Sequence, residues 1–463
     1  MVFLAKEFFI VDNSSLLEIL NDIDSIVWGV PLLVLLVGTG IFLTIRLNLI
    51  QVFRLPLALS LITTAKNHGA GDVSSFKALC VALSATVGTG NIVGVATAIK
   101  LGGPGALFWM WLAAFFGMAT KYAEGLLAIK YRTMDSKGEV AGGPMYYILN
   151  GLGEGFKPLA YFFAIACVLV AFLGIGTFPQ VNAIVDSFET TFGINRVITD
   201  VVLTVLVTAV TLGGLQSIAK VTEKIVPFMA AFYVIISVAL ILMNITQLPG
   251  AIVEVISSAF TGHAAVGGFA GSTIMLAMQA GIARGVFSNE SGLGSAPIAA
   301  AAAKTKWSAE QGLISMTGTF IDTIIICTMT GLTLIMTGVW DSPTLAGAAM
   351  TSAAFSSAFG NFGAIALTVS LALFAFTTIL GWNYYGERAM IFLAGTKGVL
   401  PYRLIFIALV ASGAFIQLDA IWTLADIVNG LMAIPNLIAL ILLSGVIVSE
   451  TKLYFNYRKR FDR

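Results

Sequence analysis

Gly88, Thr89, Gly90 and Asn91 lie in the middle of SATVGTGNIVGVATA (residues 84–98), inside an apolar run long enough to cross a bilayer. All four are poor helix formers, and each Gly costs about 1 kcal/mol relative to Ala in a helix interior. Unwound backbone in hydrocarbon leaves unpaired N–H and C=O groups at several kcal/mol each, so it persists only where it lines a cavity or meets a ligand. A half-helix starting after Gly90 presents free N–H groups and a positive dipole end, which suits a carboxylate. The carbonyls released just before the break suit a small cation. One broken helix therefore offers both halves of an amino-acid-plus-cation site. Close helix packing would also use glycines at such spacing, but it leaves Thr89 and Asn91 unexplained. A dinucleotide loop is excluded, because the spacing is GxGxxxG and no βαβ context surrounds it.

A second weak point, Gln279–Ala280–Gly281, falls about as deep in another apolar run. Breaks at matching depth in matching halves of a transporter point to a midplane binding site. GNIVGV (Gly90, Gly94, Val95) and GIARGV (Gly281, Gly285, Val286) share the pattern Gly-x3-Gly-Val. Thr377 and Thr378 stand at the midpoint of a third run. There they either coordinate Na⁺ with freed carbonyls or bond the carbonyls of their own preceding turn. Asp322 is an intramembrane carboxylate and so a functional candidate. Lys121 and Glu124, three residues apart, read as a structural ion pair, and Glu387 with Arg388 as an inner-gate pair or a membrane-edge anchor. Trp109 and Trp111 read as interfacial belt.

The elements that position these residues follow from composition. Of 463 residues 58% are hydrophobic and 11% charged, with mean hydropathy +0.94, whereas soluble domains carry about 25% charged residues. Eleven runs of spanning length are expected. A lead span covers 26–45, and spans one to ten lie near 78–99, 105–129, 158–185, 197–214, 225–246, 268–288, 312–338, 362–392, 403–420 and 428–449. With the N-terminus outside and strict alternation, all but four of the 25 Lys and Arg fall inside. Lys6, Lys100 and Arg196 are outside and Lys121 is within span two. That bias sets the topology as N-out, C-in. Ten spans after the lead divide into five plus five, and an odd number per half inverts the second half, as in inverted-repeat transporters. The expected organisation is an extracellular lead-in (1–25), an extra transmembrane helix (26–45), repeats over 78–246 and 268–449, and a basic cytoplasmic tail (450–463).

Cys80, Cys167 and Cys327 sit in apolar runs without CxxC spacing and read as small core residues. With only His68 and His263, a His-based metal site is not expected. The acidic N-terminus lacks the basic head and apolar core of a signal peptide. The sequence shows no GxSxG context, paired His or di-Asp motif, so an enzyme is not expected. A channel would want a continuous polar stripe on several helices, whereas polar residues here concentrate at midplane positions.

The segment GGPGALFWMWLAAFFG (Gly102–Gly117) resembles a signature of the alanine or glycine:cation symporter family. SATVGTGNIVGVA, KYAEGLLAIKYR, GGPMYYI, ARGVFSNESGLGSAP and FIDTIIICTMTGL are similar to its other recurring segments. The resemblance runs from the lead span to the end of span eight. It implies an all-α integral membrane protein of the LeuT type, a 5+5 inverted repeat of ten transmembrane helices preceded by one extra. It further implies symport of a small neutral amino acid such as alanine or glycine with Na⁺, or with H⁺, in the cell membrane, with no nucleic acid and no obligatory protein partner. A transporter of another small solute in the same fold is the alternative. By that resemblance, Gly88, Thr89, Gly90 and Asn91 meet the substrate carboxylate, and Gln279, Ala280 and Gly281 face its amino group and side chain. Phe178, Gln180, Trp382 and Asn383 wall the pocket. The cation sits against Ser84, Val87, Phe374, Thr377 and Thr378, and Arg284 and Glu290 fix the inner end of span six.

Overall fold

Ser74, whose hydroxyl accepts the Lys77 N–H at 3.2 Å, starts the helix Ser75–Thr86. This is the first piece of span one. The chain then resumes as a π-helical turn, Gly90–Gly94, and an α-helix, Val95–Gly102. The two pieces are bent by 51°. The computed structural model describes residues 13–65, 68–261, 274–416 and 419–461, and among these the architecture is all-helical apart from one two-residue hairpin, Thr133–Met134 against Val140–Ala141. The start of the expected span six (268–273) and part of the end of span nine (417–418) lie outside the described residues.

Among the described residues, seven helical segments are long and apolar enough to cross a membrane, or eight when the bent pair of span one is counted as one. The expected eleven is not reached on that criterion. The regions of spans four and nine form the helices Arg196–Thr211 and Val399–Ser412, each shorter than a bilayer-crossing helix, and the described part of span six is the helix Ile274–Asn289. The lead span is preceded by its own helix, Asn13–Val27, and then runs over Val30–Arg46. Span three is also divided, into Lys157–Leu173 and Phe178–Phe192, where Gly176 passes so close to Trp382 that an added Cβ would stand 2.8 Å from the Trp382 Cβ.

Span two (Gly105–Lys130) is buried along most of its length, between spans six and seven and the lead helix. Outward-facing Val201, Val205 and Leu206, with Phe228, Ile235 and Leu242, are exposed large apolar side chains. An apolar exterior of that extent is what a lipid solvent requires. Trp109 and Trp111 are half-buried, and their indole N–H groups donate to the Ala259 carbonyl (3.3 Å) and the Thr328 hydroxyl (2.8 Å). The three cysteines are buried and free.

The helix Ile274–Asn289 passes through Gln279, Ala280 and Gly281 without interruption. Gly281 is there for packing: a Cβ on it would stand 2.3 Å from the Ala106 carbonyl oxygen. Gly285 faces Met110 of span two, where an added Cβ would make only ordinary contact at 3.4 Å. The Gly-x3-Gly-Val likeness between the halves therefore does not mark equivalent breaks. Gly281→Ala is expected to cost about 1–3 kcal/mol, since the obstructing atom is backbone and cannot rotate away. Thermal unfolding of the purified protein in detergent checks this, and an unchanged midpoint would show that span two yields at that contact.

Candidate functional site

The break in span one is made by a competition for hydrogen bonds. Val87 closes the last regular turn, its N–H donating to the Leu83 carbonyl at 2.8 Å. The next N–H, of Gly88, donates to Oδ1 of Asn91 at 2.8 Å instead of to the Ser84 carbonyl. The Thr89 N–H points to Oε1 of Gln180 at 3.4 Å, and Gln180 Nε2 returns a bond to the Thr89 hydroxyl at 3.0 Å. The carbonyls of Ser84 and Ala85 thus lose their usual partners four residues on. The gap is Val87–Gly88, slightly before the expected Gly88–Asn91, because Gly90 and Asn91 already belong to the restarted helix.

Asn91 is itself held. Its Nδ2 donates to Oδ1 of Asp322 at 2.7 Å, and its carbonyl accepts the Thr330 hydroxyl at 2.7 Å. The other Asp322 oxygen accepts the hydroxyls of Ser288 (2.9 Å) and Thr323 (2.7 Å). Asp322 stands in the π-helical stretch Phe320–Cys327 of span seven, where an extra residue per turn commonly marks a functional site. This carboxylate therefore ties spans one, six and seven together directly behind the break.

Of Ser84, Val87, Phe374, Thr377 and Thr378, the structure brings Thr378 to Val87 across the gap, while the Thr377 hydroxyl also faces Met229 Sδ on span five at 3.4 Å. The Thr378 hydroxyl donates to the Phe374 carbonyl at 2.9 Å and lies 3.5 Å from the Val87 carbonyl. Thr377 donates to the Leu373 and Phe374 carbonyls at 3.0 and 3.1 Å, and Ser84 to the Val81 carbonyl at 2.8 Å. The bonds to preceding-turn carbonyls are present, yet a hydroxyl that donates keeps its lone pairs for a cation. A Cβ on Gly88 would stand 2.4 Å from the Thr378 hydroxyl, so only glycine lets span eight approach the gap this closely. The donor set is neutral oxygen, and no group of three His, Cys, Asp or Glu occurs among the described residues. Such a set suits a hard monovalent ion.

Span six does break, but at 290–295, beyond the helix ending at Asn289. Glu290, Gly292 and Gly294 have φ of +55°, +90° and +84°. The readable signal was the G-x-G of SNESGLGS, the same breaker pattern as in span one. Its buried backbone is satisfied from other helices. Lys121 Nζ donates to the Asn289 carbonyl (2.9 Å), Glu124 accepts the Gly292 N–H (3.1 Å), and Asn436 donates to the Gly292 carbonyl (2.8 Å). Lys121 and Glu124 thus serve the broken backbone and do not pair with each other. Glu290 accepts the Trp382 indole N–H at 3.0 Å and the Ser295 hydroxyl. The two broken regions meet at Gly90, where a Cβ would stand 3.2 Å from the Ser288 Cα.

A cavity of about 650 Å³ leads to this junction, within the usual range for small-molecule sites of about 300–1,000 Å³. Thr89, Gly90 and Phe287 are among its buried and half-buried lining, and Asn21, Asp186 and Thr190 among its exposed lining. Of the expected substrate residues, Thr89 and Gly90 line it. Gly88 and Asn91 are buried next to them in the chain, Gln180 is buried and bonded to Thr89, and Phe178, Trp382 and Asn383 are buried. Gln279, Ala280 and Gly281 do not line it, because their helix turns that face to span two. Arg284 also lines the cavity, on the side of Asp24 and Asp186, and bonds Asp426 at 3.1 Å. It does not fix the inner end of span six, because the helix continues beyond it to Asn289.

Ion pairs gather towards the C-terminal end of span eight. Arg388 pairs with Asp135 at 3.4 Å and with Glu139 at 2.5 Å, both in the segment around the small hairpin, and Glu387 receives two bonds from Arg403 at 2.6 and 3.0 Å. Arg132 donates to the carbonyls of Ala70, Ala301, Ala303 and Thr305. In the adjoining loop Asp72 accepts the Val140 N–H at 2.9 Å, and burial pushes its carboxyl above the usual carboxylate range.

Residues 13–462 match the sodium:alanine symporter family. The chain is 51% identical to the sodium/alanine symporter AgcS of Methanococcus maripaludis, over 96% of this chain and 98% of that one. It is 59% identical to an uncharacterized transporter of Haemophilus influenzae, over 96% and 97% respectively. It is 38% identical to the probable sodium/glutamine symporter GlnT of Bacillus subtilis, over 94% and 90%. The crystal structure of MhsT in complex with L-phenylalanine superposes with a TM-score of 0.52 at 12% identity, covering 83% of this chain and 99% of that one. That likeness concerns the fold alone.

Asp322→Ala is expected to release Asn91 and speed amide hydrogen exchange over residues 84–94 by about tenfold, the equivalent of one charge-assisted hydrogen bond. Asp322→Asn, which keeps an acceptor for Asn91, is expected to have a smaller effect. Equal exchange in Asp322→Ala and wild type would detach Asp322 from the break.

Proposed function

The chain belongs to the sodium:alanine symporter family, and on that premise we propose that it carries alanine, glycine or a similarly small neutral amino acid into the cell together with Na⁺. The family is one of cation-coupled amino-acid symporters with multiple membrane spans. The observation that carries the finer reading is the Gly88–Asn91 hydrogen bond, which interrupts span one beside a cavity lined by Thr89 and Gly90 and takes the Gly88 N–H from the Ser84 carbonyl. The substrate carboxylate binds at Thr89 and Gly90, with Asn91 and Gln180 fixing that backbone. Phe287 and Ser288 of span six provide the facing wall. Na⁺ binds among Ser84, Val87, Phe374, Thr377 and Thr378. The expected order of ten helices in two inverted sets of five, after one extra helix, supplies the two broken spans from the two sets. The N-terminus is extracellular and the basic helix Ser444–Phe461 cytoplasmic.

On this reading the cavity opens outward and the Arg388 and Arg403 ion pairs close the inner path. Alternating access would then break those pairs. Asn383 is buried on span eight with both amide atoms unpartnered, and Tyr384 and Tyr385 carry unpartnered hydroxyls. Such groups cost about 1–3 kcal/mol each while dry, and they gain water when that side opens. A zwitterion moves without net charge, so one Na⁺ at ~100 mV supplies about 2.3 kcal/mol, or roughly 40–50-fold accumulation.

Uptake of labelled alanine into proteoliposomes, with Na⁺ and H⁺ gradients imposed separately, tests the reading. Accumulation with the Na⁺ gradient alone is expected, and accumulation with H⁺ alone would reassign the ion. Thr377→Ala is expected to raise the Na⁺ concentration for half-maximal uptake, and an unchanged Na⁺ dependence would return that hydroxyl to packing. Asn91→Leu is expected to abolish high-affinity alanine binding while the protein still elutes as a folded species. Wild-type affinity would take Asn91 out of the site.

A further inference from the structure

Asp200 stands near the start of the helix Arg196–Thr211 and is only 2% exposed. Thr199, Leu203, Val207 and Thr211 make up the rest of that helix's buried face. One carboxylate oxygen, Oδ2, accepts the Ala414 N–H at a long 3.4 Å, and Oδ1 has no partner. Among the described residues no Lys, Arg or His pairs with it. Arg196, one turn earlier, turns to Asp186 and Glu189 instead. Asp426 and Asn429 in the cavity wall also carry unpartnered atoms, but Arg284 balances the Asp426 charge. Asp200 has no such counter-charge, and a buried charge is costly unless it is paired or holds a metal ion.

Two neutral oxygens are orphaned near it. Asn182, 5% exposed on span three, donates from Nδ2 to the Ile416 carbonyl at 3.1 Å and leaves Oδ1 unpartnered. The Thr199 hydroxyl is buried and unpartnered as well. The turn 413–416, which follows the helix of span nine, thus holds Asp200 through Ala414 and Asn182 through Ile416. A Cβ on Gly413 would stand 2.5 Å from Val181 Cγ1, so the turn lies tight on span three. Asn182 also lines the cavity, which gives an ion a route in from water.

We propose that Asp200 Oδ1, Asn182 Oδ1 and the Thr199 hydroxyl form a site for a hard monovalent cation, Na⁺, separate from the oxygens at the span-one break. The orphaned atoms are acceptors, which excludes an anion. Oxygen ligands without sulfur or imidazole suit a hard cation. One carboxylate balances one positive charge, whereas a divalent ion would leave a net charge buried. The ion clasps spans three and four to the turn after span nine, at the wall of the cavity. The site rests on the orphaned oxygens and not on the transport reading above.

The test is amide hydrogen exchange of the purified full-length protein in NaCl and in choline chloride at equal ionic strength. Na⁺ is expected to slow exchange in residues 197–203 and 410–416 by about tenfold, the equivalent of one charge-assisted contact. Asp200→Asn is expected to abolish that protection while Na⁺ still protects residues 84–94, and Thr377→Ala to do the reverse. No effect of Na⁺ on the turn in wild type would overturn the site, as would protection undiminished in Asp200→Asn. Protection by Ca²⁺ but not by Na⁺ would overturn the monovalent assignment. Thermal unfolding gives a second, independent reading. In choline chloride Asp200→Asn is expected to melt above wild type, because it removes an uncompensated buried charge. In NaCl the order is expected to reverse. The same order in both salts would show that the carboxylate needs no ion, and the proposal would fail.

Discussion

The arrangement depends on which acceptor receives the Gly88 N–H. In an uninterrupted helix it would be the Ser84 carbonyl, and span one would cross the bilayer as an inert rod. Asn91 Oδ1 takes it instead, and one side-chain bond both frees the carbonyls before the gap and fixes the start of the helix after it. Asn91 can do this only because Asp322 holds its amide nitrogen and Thr330 its carbonyl. Glycine at 88 is required twice, for unwinding and for the approach of Thr378.

Breaking a helix in a low-dielectric interior is tolerable when every exposed backbone group finds a partner. The break in span six shows how this is met. Lys121 and Glu124 from span two and Asn436 from span ten reach the unwound segment, while Trp382 from span eight holds Glu290. Charged groups buried in this way are costly unless bonded, and Lys121, Glu124 and Glu290 are each bonded here. The protein therefore keeps its most polar residues where its chain is least regular.

The same economy separates the two faces of the molecule. On one side polar atoms line a cavity and several of them lack protein partners. On the other, arginines bind carboxylates and carbonyls. Small residues make the close contacts between: Gly90 against Ser288, Gly281 against Ala106 and Gly176 against Trp382. In lipid there is little hydrophobic force between helices, so such close approach is what holds them together.

The apolar runs, the charge bias and the interruption at Gly88–Asn91 are legible in the sequence because each depends on local composition and on the hydrocarbon solvent. Thr377 and Thr378 could be picked out for the same reason, as hydroxyls at a depth where hydroxyls are rare. The second interruption was misplaced. Gln279–Gly281 and SNESGLGS are both weak helix formers, and what distinguishes them is the neighbour: Ala106 presses on Gly281, while Lys121, Glu124 and Asn436 wait for the backbone after Asn289. The place of Arg284 in the cavity wall was likewise not legible, since a side chain's depth does not reveal whether lipid, cavity or helix faces it. Sequence alone determined that this chain crosses a membrane on helices, one of which must open at its middle. Tertiary structure alone decided where the other opens and what lines the cavity, because those outcomes rest on hydrogen bonds between residues hundreds of positions apart.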